Sequence, residues 1–129
     1  LYLDDDFNIT QEMLGKMSKI LDVMDKIDDT SNTGIYKKYH FIDVFWFLYR
    51  NYNQLDSVQI KEFADSFDKL ERQRLNVSEP RKILEEGNLT TEKKEFYDYV
   101  LSFKYSGSLA ENIYKRSRFM ERYFKQYLN

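Results

Sequence analysis

The chain has 129 residues and a net charge of −2, with 42% hydrophobic and 17% aromatic side chains. This length suits one globular domain, so we expect residues 1–129 to form a single helical domain. The absence of Cys excludes disulfides, zinc–thiolate sites and a cysteine nucleophile, and it fits a cytoplasmic protein. Only four Gly and one Pro favour a few long helices over a sheet with many turns.

The N-terminal part of the chain predicts an acidic lead-in followed by an amphipathic helix. The chain begins with Leu1 rather than Met, so we expect it to be a fragment of a larger protein. We predict the first helix over residues 9–27, with Asn8 and Gln11 as a capping box. Its apolar stripe recurs at three- and four-residue steps. The stripe consists of Met13, Leu14, Met17, Ile20, Leu21, Met24 and Ile27.

The second predicted helix covers residues 35–52 and is the most hydrophobic part of the chain. Residues 41–49 read FIDVFWFLY, with Asp43 as the only polar side chain. Since a helix that is apolar all round is buried on all sides, we expect Phe45, Trp46 and Leu48 to be buried in a central helix. The apolar run is too short to span a bilayer, so we expect no membrane partner.

Four further helical segments follow. We predict helices over residues 57–76, 80–86, 91–105 and 109–128, with Gly87 ending the short one. The predicted cap residues are Asp56 with Gln59, Thr90, and Ser108 with Glu111. The sequence therefore predicts an all-α bundle of about five main helices around a buried aromatic central helix.

Two titratable residues near the start of the second helix are the main candidates for chemistry. His40 is the only histidine and has no Glu three or four residues away, so we expect a structural role and no metal site. Asp43 lies in an apolar helix, where an unpaired carboxylate is costly. It is either the functional acid of a small enzyme or, as we expect, a carboxylate paired with a buried Arg, Lys or Tyr or reaching solvent. We assign no catalytic residue and no cofactor.

Charge is distributed unevenly along the chain. Residues 1–30 contain eight Asp or Glu against three Lys, and residues 108–129 contain five Lys or Arg against two Glu. This basic set makes the last helix a candidate nucleic-acid contact, because Tyr114 and Tyr123 are interleaved with the cations. The alternative is a solvated face, or one paired with the acidic first helix, at Asp22, Asp25, Asp28 and Asp29. The candidate binding residues are Lys115, Arg116, Arg118, Arg122 and Lys125.

Four stretches carry a resemblance to a known family. They are residues 41–49 (FIDVFWFLY), 60–64 (IKEFA), 67–74 (FDKLERQR) and 112–119 (NIYKRSRF). Over about residues 35–129 the sequence resembles the helical region of large bacterial ParB/sulfiredoxin-like nucleases, the GmrSD-type modification-dependent restriction proteins. That family's Asp-Gly-Gln-Gln-Arg motif and HNH module are both missing here. The resemblance therefore implies a helical accessory domain without a complete active site.

These observations predict a non-catalytic helical interaction domain of a larger bacterial, restriction-associated protein. Its expected partners are other domains of the parent chain or a protein partner, and DNA is the alternative through the last helix. A small enzyme that uses Asp43 is the second alternative.

Overall fold

The computed structural model describes residues 10–104 and 106–127 and is all-α. It is 79% helical, and the described residues contain no strand. The predicted fold class is therefore confirmed. The helices are α1 (Gln11–Thr30), α2 (Lys38–Asn51), α3 (Ser57–Leu75), α4 (Arg81–Glu85), α5 (Thr91–Lys104) and α6 (Ala110–Phe124). Short 3₁₀ segments extend α2 over Tyr52–Gln54 and α6 over Lys125–Tyr127.

Local capping chemistry explains where several helices begin and end. Asp56 and Gln59 form the predicted reciprocal capping box of α3, in which each side chain accepts the other's backbone N–H. Thr90 Oγ1 accepts the N–H of Lys93 at the start of α5. Gly87, with φ of +66°, provides the left-handed turn after α4. The predicted cap Asn8 lies outside the described residues, and Thr10 Oγ1 caps α1 by accepting the N–H of Met13.

The predicted capping box of α6 is wrong. Leu109 occupies the N-cap position and no side chain caps the helix, because α6 begins at Ala110, two residues after Ser108. The carbonyl of Ser106, a residue with φ of +53°, holds the turn instead. It accepts the Leu109 N–H at 3.0 Å and the Asn112 side-chain amide at 2.9 Å.

Side chains of five helices, α1, α2, α3, α5 and α6, form the core. α1 packs on α2 and α3, α2 packs on α6, and the 3₁₀ segment after α6 returns to α3. The centre is a cluster of stacked and tilted rings in which Phe63 and Phe124 have centroids 4.4 Å apart. Phe47 and Phe67 flank this pair, and apolar side chains of α1 close the cluster. α5 packs on the outside of α6, and α4 packs on α5.

The expectation that α2 is buried on all sides is wrong. Leu48 is fully buried, but Phe45 is half-buried and Trp46 is 42% exposed. α1 and α6 contact α2 through its inner face and flanks, so no described element covers the outer face. A run of apolar residues shows that a helix has no polar face, but it does not show how many neighbours that helix has.

Adjacent rings of α2 provide a direct test of this arrangement. We expect Phe47→Ala, which empties a 1% exposed site in the ring cluster, to lower the free energy of unfolding by about 3–5 kcal/mol. Trp46→Ala removes a larger ring that is 42% exposed and should cost only about 1–2 kcal/mol. Urea unfolding followed by circular dichroism measures both. Equal losses, or a larger loss for Trp46→Ala, would contradict the placement of α2.

Candidate functional site

A buried ion pair joins α2 to α6. Arg116 Nε donates to Asp43 Oδ2 at 2.8 Å, and the two side chains are 0% and 2% exposed. The expectation that Asp43 has a buried cationic partner is confirmed. The partner lies 73 residues away and belongs to the set of candidate nucleic-acid-binding residues of the last helix.

The remaining contacts of Arg116 tie the end of α5 to the same point. Its Nη1 donates to the carbonyl oxygens of Ser102 at 3.0 Å and Gly107 at 2.9 Å. The rings of Tyr39 and Phe103 both lie 4.9 Å from its guanidinium carbon. The fit is tight, because a Cβ added at Gly107 would lie 2.6 Å from Tyr39 Cε2.

The environment of Asp43 is set mainly by desolvation. Burial raises the pKa of Asp43 to about 6, and the attraction of Arg116 offsets only part of that effect. At neutral pH the carboxylate is ionised and balances the buried guanidinium. Since Asp43 is buried and one of its oxygens is bound by Arg116, a substrate has no access to it in this structure.

A second polar cluster joins α2 to α3. His40 Nε2 contacts Glu71 Oε2, and Arg74 donates from Nε to Glu71 Oε1 at 2.5 Å and from Nη2 to Oε2 at 2.9 Å. These partners outweigh burial and lower the pKa of Glu71 to about 2. Arg74 also stacks on Phe103, with 4.0 Å between its guanidinium carbon and the ring centroid. Phe103 therefore contacts the guanidinium groups of both Arg74 and Arg116.

A third carboxylate organises the loop between α1 and α2. Asp68 accepts hydrogen bonds from the hydroxyls of Ser31 and Thr33 and from the backbone N–H groups of Asn32 and Thr33. These donors lower the pKa of Asp68 against the opposing effect of burial. Sequence reasoning did not single out Asp68 or Glu71. His40 and Glu71 are 31 residues apart, so no local spacing indicates their contact.

The predicted basic face of α6 is divided by the fold. Arg116 is 0% exposed and bound to Asp43, so it does not belong to that surface. Lys115 pairs with Glu111 at 3.4 Å within the helix, and Arg122 pairs with Glu95 of α5. Arg118 stacks on Tyr114, with 5.7 Å between the guanidinium carbon and the ring centroid, and Lys125 is exposed.

The charge that faces α6 comes from α5 rather than from α1. A cavity of about 130 Å³ between α5 and α6 is lined by Glu95 and Asp98 on one side and by Lys115, Arg118 and Arg122 on the other. Among the described ion pairs, none joins α6 to the acidic residues of α1. The alternative in which the basic residues pair with Asp22, Asp25, Asp28 and Asp29 is therefore not found among the described ion pairs, because α5, and not α1, packs beside the basic side chains.

Tyr36, just before α2, and the outer face of α2 carry a continuous row of aromatic rings, which we call the aromatic ladder. Successive ring centroids lie 5.4–6.4 Å apart, within the range of attractive aromatic pairs. Lys16 of α1 lies over one end, 3.9 Å from the ring centroid of Tyr49. Asp25 of α1 accepts the hydroxyl hydrogen of Tyr36 at the other end. The ladder consists of Tyr36, Phe41, Phe45, Trp46 and Tyr49.

The ladder is the largest set of neighbouring exposed rings among the described residues. Tyr36 is 44% exposed, Trp46 42%, Tyr49 40% and Phe41 37%. Isolated apolar residues are normal on a protein surface, but a contiguous row of large rings is characteristic of interaction sites. The ladder is therefore a candidate protein-binding surface.

Comparison with known proteins gives no match. The chain matches no protein-family model, and searches of the curated proteins and of the solved structures give no significant match. None of the helices in the described part of the chain is long and apolar enough to cross a membrane.

The two buried carboxylates should titrate in opposite directions from their ordinary values. We expect the carboxyl carbon of Asp43 to titrate with a midpoint of about 6, and that of Glu71 to stay ionised until about pH 2. Carbon-13 NMR of the side-chain carboxyl groups measures both midpoints. A midpoint for Asp43 at or below the ordinary value of 3.8 would contradict the dominance of desolvation.

These shifts also fix the sign of the stability change with pH. The folded state binds a proton at Asp43 more tightly than the unfolded chain does, so this group's contribution falls as pH rises from about 4 to about 6. The contribution of Glu71 is present above about pH 4.5 and is lost as pH falls toward 2. Urea unfolding at a series of pH values should therefore show the two contributions in separate windows.

Proposed function

We propose that this chain is a non-catalytic helical interaction module of a larger, restriction-associated protein in the bacterial cytoplasm, and that the aromatic ladder binds a protein partner. The ladder carries the proposal. Exposed rings that already contact one another lose little side-chain freedom when a partner covers them. Tyr and Trp are also the residues enriched at the energetic centres of protein interfaces.

The charges beside the ladder favour a particular kind of partner. Lys16 lies over Tyr49, and Lys19 follows one turn later on the same side of α1. Lys19 is exposed and Lys16 is half-buried, and neither forms an ion pair with any described residue. Cationic side chains at the Tyr49 end of an apolar row complement an amphipathic helix that has acidic residues beside its apolar face at that end. We therefore take such a helix, on a separate protein, as the occupant.

The contacts of the titratable residues support a role without catalysis. Asp43 is bound by Arg116, and Glu71 is bound by His40 and Arg74. A general acid or base must reach the proton that it transfers, and a buried carboxylate held in an ion pair does not. In this account both carboxylates hold helices together.

The nucleic-acid alternative receives less support from the same contacts. Of the five cations that the sequence predicts, only Arg118 and Lys125 are exposed and form no ion pair with a described residue. Two phosphate contacts on duplex DNA would give a log–log salt slope of only about −2, at about −0.9 per contact. Weak binding without sequence preference is all that this set would provide.

The single tryptophan makes the proposed interaction directly measurable. Trp46 is the only Trp in the sequence and lies within the ladder. We expect an amphipathic helical peptide with a Leu face flanked by Glu to shift the Trp46 emission to shorter wavelength in a saturable titration, since the ring leaves water. The same peptide with Lys in place of Glu should bind at least about threefold more weakly, because of Lys16 and Lys19.

Matched variants separate the ladder from general hydrophobic binding. Tyr49→Ala removes the ring under Lys16 and should weaken binding, whereas Tyr114→Ala removes an exposed ring on α6 and should not. Lys16→Glu should reverse the preference between the two peptides. If neither peptide gives a saturable shift, or if Tyr114→Ala weakens binding as much as Tyr49→Ala, the proposal fails.

A further inference from the structure

Two adjoining cavities lie where the start of α2 meets α3. Their volumes are about 380 and 310 Å³, and both are lined by Lys37, His40 and Glu71. Arg72 lines the first cavity and Arg74 the second. They form one cleft on a different side of α2 from the aromatic ladder, because His40 lies on the face of α2 that packs against α3.

The acidic groups in this cleft are engaged by the protein itself. Asp68 accepts four hydrogen bonds from the loop at residues 31–33, and both oxygens of Glu71 are bound by Arg74, one of them also contacting His40. Both carboxylates are therefore bound by donors that belong to the chain itself. Three cationic side chains share the cleft with them, so its lining has an excess of positive charge.

Two of these cations have no acidic partner. Lys37 and Arg72 are exposed, and neither forms an ion pair or a side-chain hydrogen bond with any residue in the described part of the chain. Lys37 is also the N-cap of α2, and no side chain caps that helix. The N-terminus of α2, a helix of 14 residues, carries the positive end of the helix dipole. It therefore lies beside Lys37 and Arg72.

The imidazole of His40 adds an independent feature. Its Nε2 is bound to Glu71, whereas its Nδ1 has no hydrogen-bond partner among the described residues, although His40 is only 8% exposed. Buried polar atoms in proteins are nearly always hydrogen-bonded, so an unpartnered ring nitrogen in the wall of a cleft points to a group from outside the chain.

From this combination we infer that the cleft between the N-terminus of α2 and α3 binds the phosphate group of a small phosphomonoester, through Lys37, Arg72 and the first turn of α2. A tetrahedral dianion suits two cations from different helices together with backbone N–H donors. The second cavity has the rings of Tyr39 and Phe103 in its wall, which gives the organic part of the ligand an apolar surface.

Isothermal titration calorimetry with inorganic phosphate and with phenyl phosphate tests this site. We expect saturable binding of both, tighter for phenyl phosphate, and about tenfold or greater weakening in Lys37→Gln and in Arg72→Gln. Arg81→Gln is the matched control, because Arg81 is an exposed arginine that lines a different cavity. Arg81→Gln should change the phosphate affinity by less than about twofold, because salt screens the attraction between a distant exposed charge and the bound phosphate.

A second readout locates binding in the unaltered protein. Amide shift changes on adding phosphate should concentrate at residues 32–40 and 68–75. Three results would each overturn the proposal: a titration whose heat does not saturate, a loss of phosphate affinity in Arg81→Gln equal to that in Lys37→Gln or Arg72→Gln, or amide shift changes centred on the basic side chains of α6. None of these results bears on the binding of a protein partner by the aromatic ladder, so the two proposals succeed or fail separately.

Discussion

Arg116 is a fully buried cation, and three helices meet at its guanidinium group. It contacts Asp43 on α2, the carbonyl of Ser102 on α5 and the carbonyl of Gly107 in the turn before α6. Removing a guanidinium group from water is costly, and good geometry together with further hydrogen bonds must offset that cost. The relative positions of α2, α5 and α6 are therefore constrained by one side chain. The close approach of Gly107 to Tyr39 follows from the same constraint.

The second polar cluster extends this arrangement to α3. Glu71 accepts from Arg74 and contacts His40, so α3 is attached to the first turn of α2, while Asp68 holds the loop that leads into α2. Phe103 lies against both Arg74 and Arg116 and connects the two clusters. The polar groups that looked most like catalytic candidates are thus used to position helices. The groups left free lie elsewhere, on the aromatic ladder and at the cationic rim of the cleft.

Local chemistry made much of the fold predictable from the sequence. All six helices start within about three residues of their predicted positions, because apolar spacing and cap residues act over a few residues. The same reasoning failed at α6, where a backbone carbonyl in a left-handed turn replaced the expected side-chain cap. It also failed for Trp46, since composition does not reveal which side of an apolar helix its neighbours cover.

The polar clusters were less predictable, because their partners are far apart in the sequence. The chain indicated that Asp43 needs a cation, but Arg116 lay within a basic run that suggested a surface. Nothing near His40 pointed to Glu71. The central claim is that Asp43 and Arg116 depend on each other, and a double-mutant cycle with Asp43→Asn and Arg116→Met tests it most directly. Arg116→Met leaves the buried carboxylate unpaired and should cost about 3–5 kcal/mol. The double variant should cost at least about 2 kcal/mol less than the sum of the two single changes. Losses that add within about 0.5 kcal/mol would contradict the account.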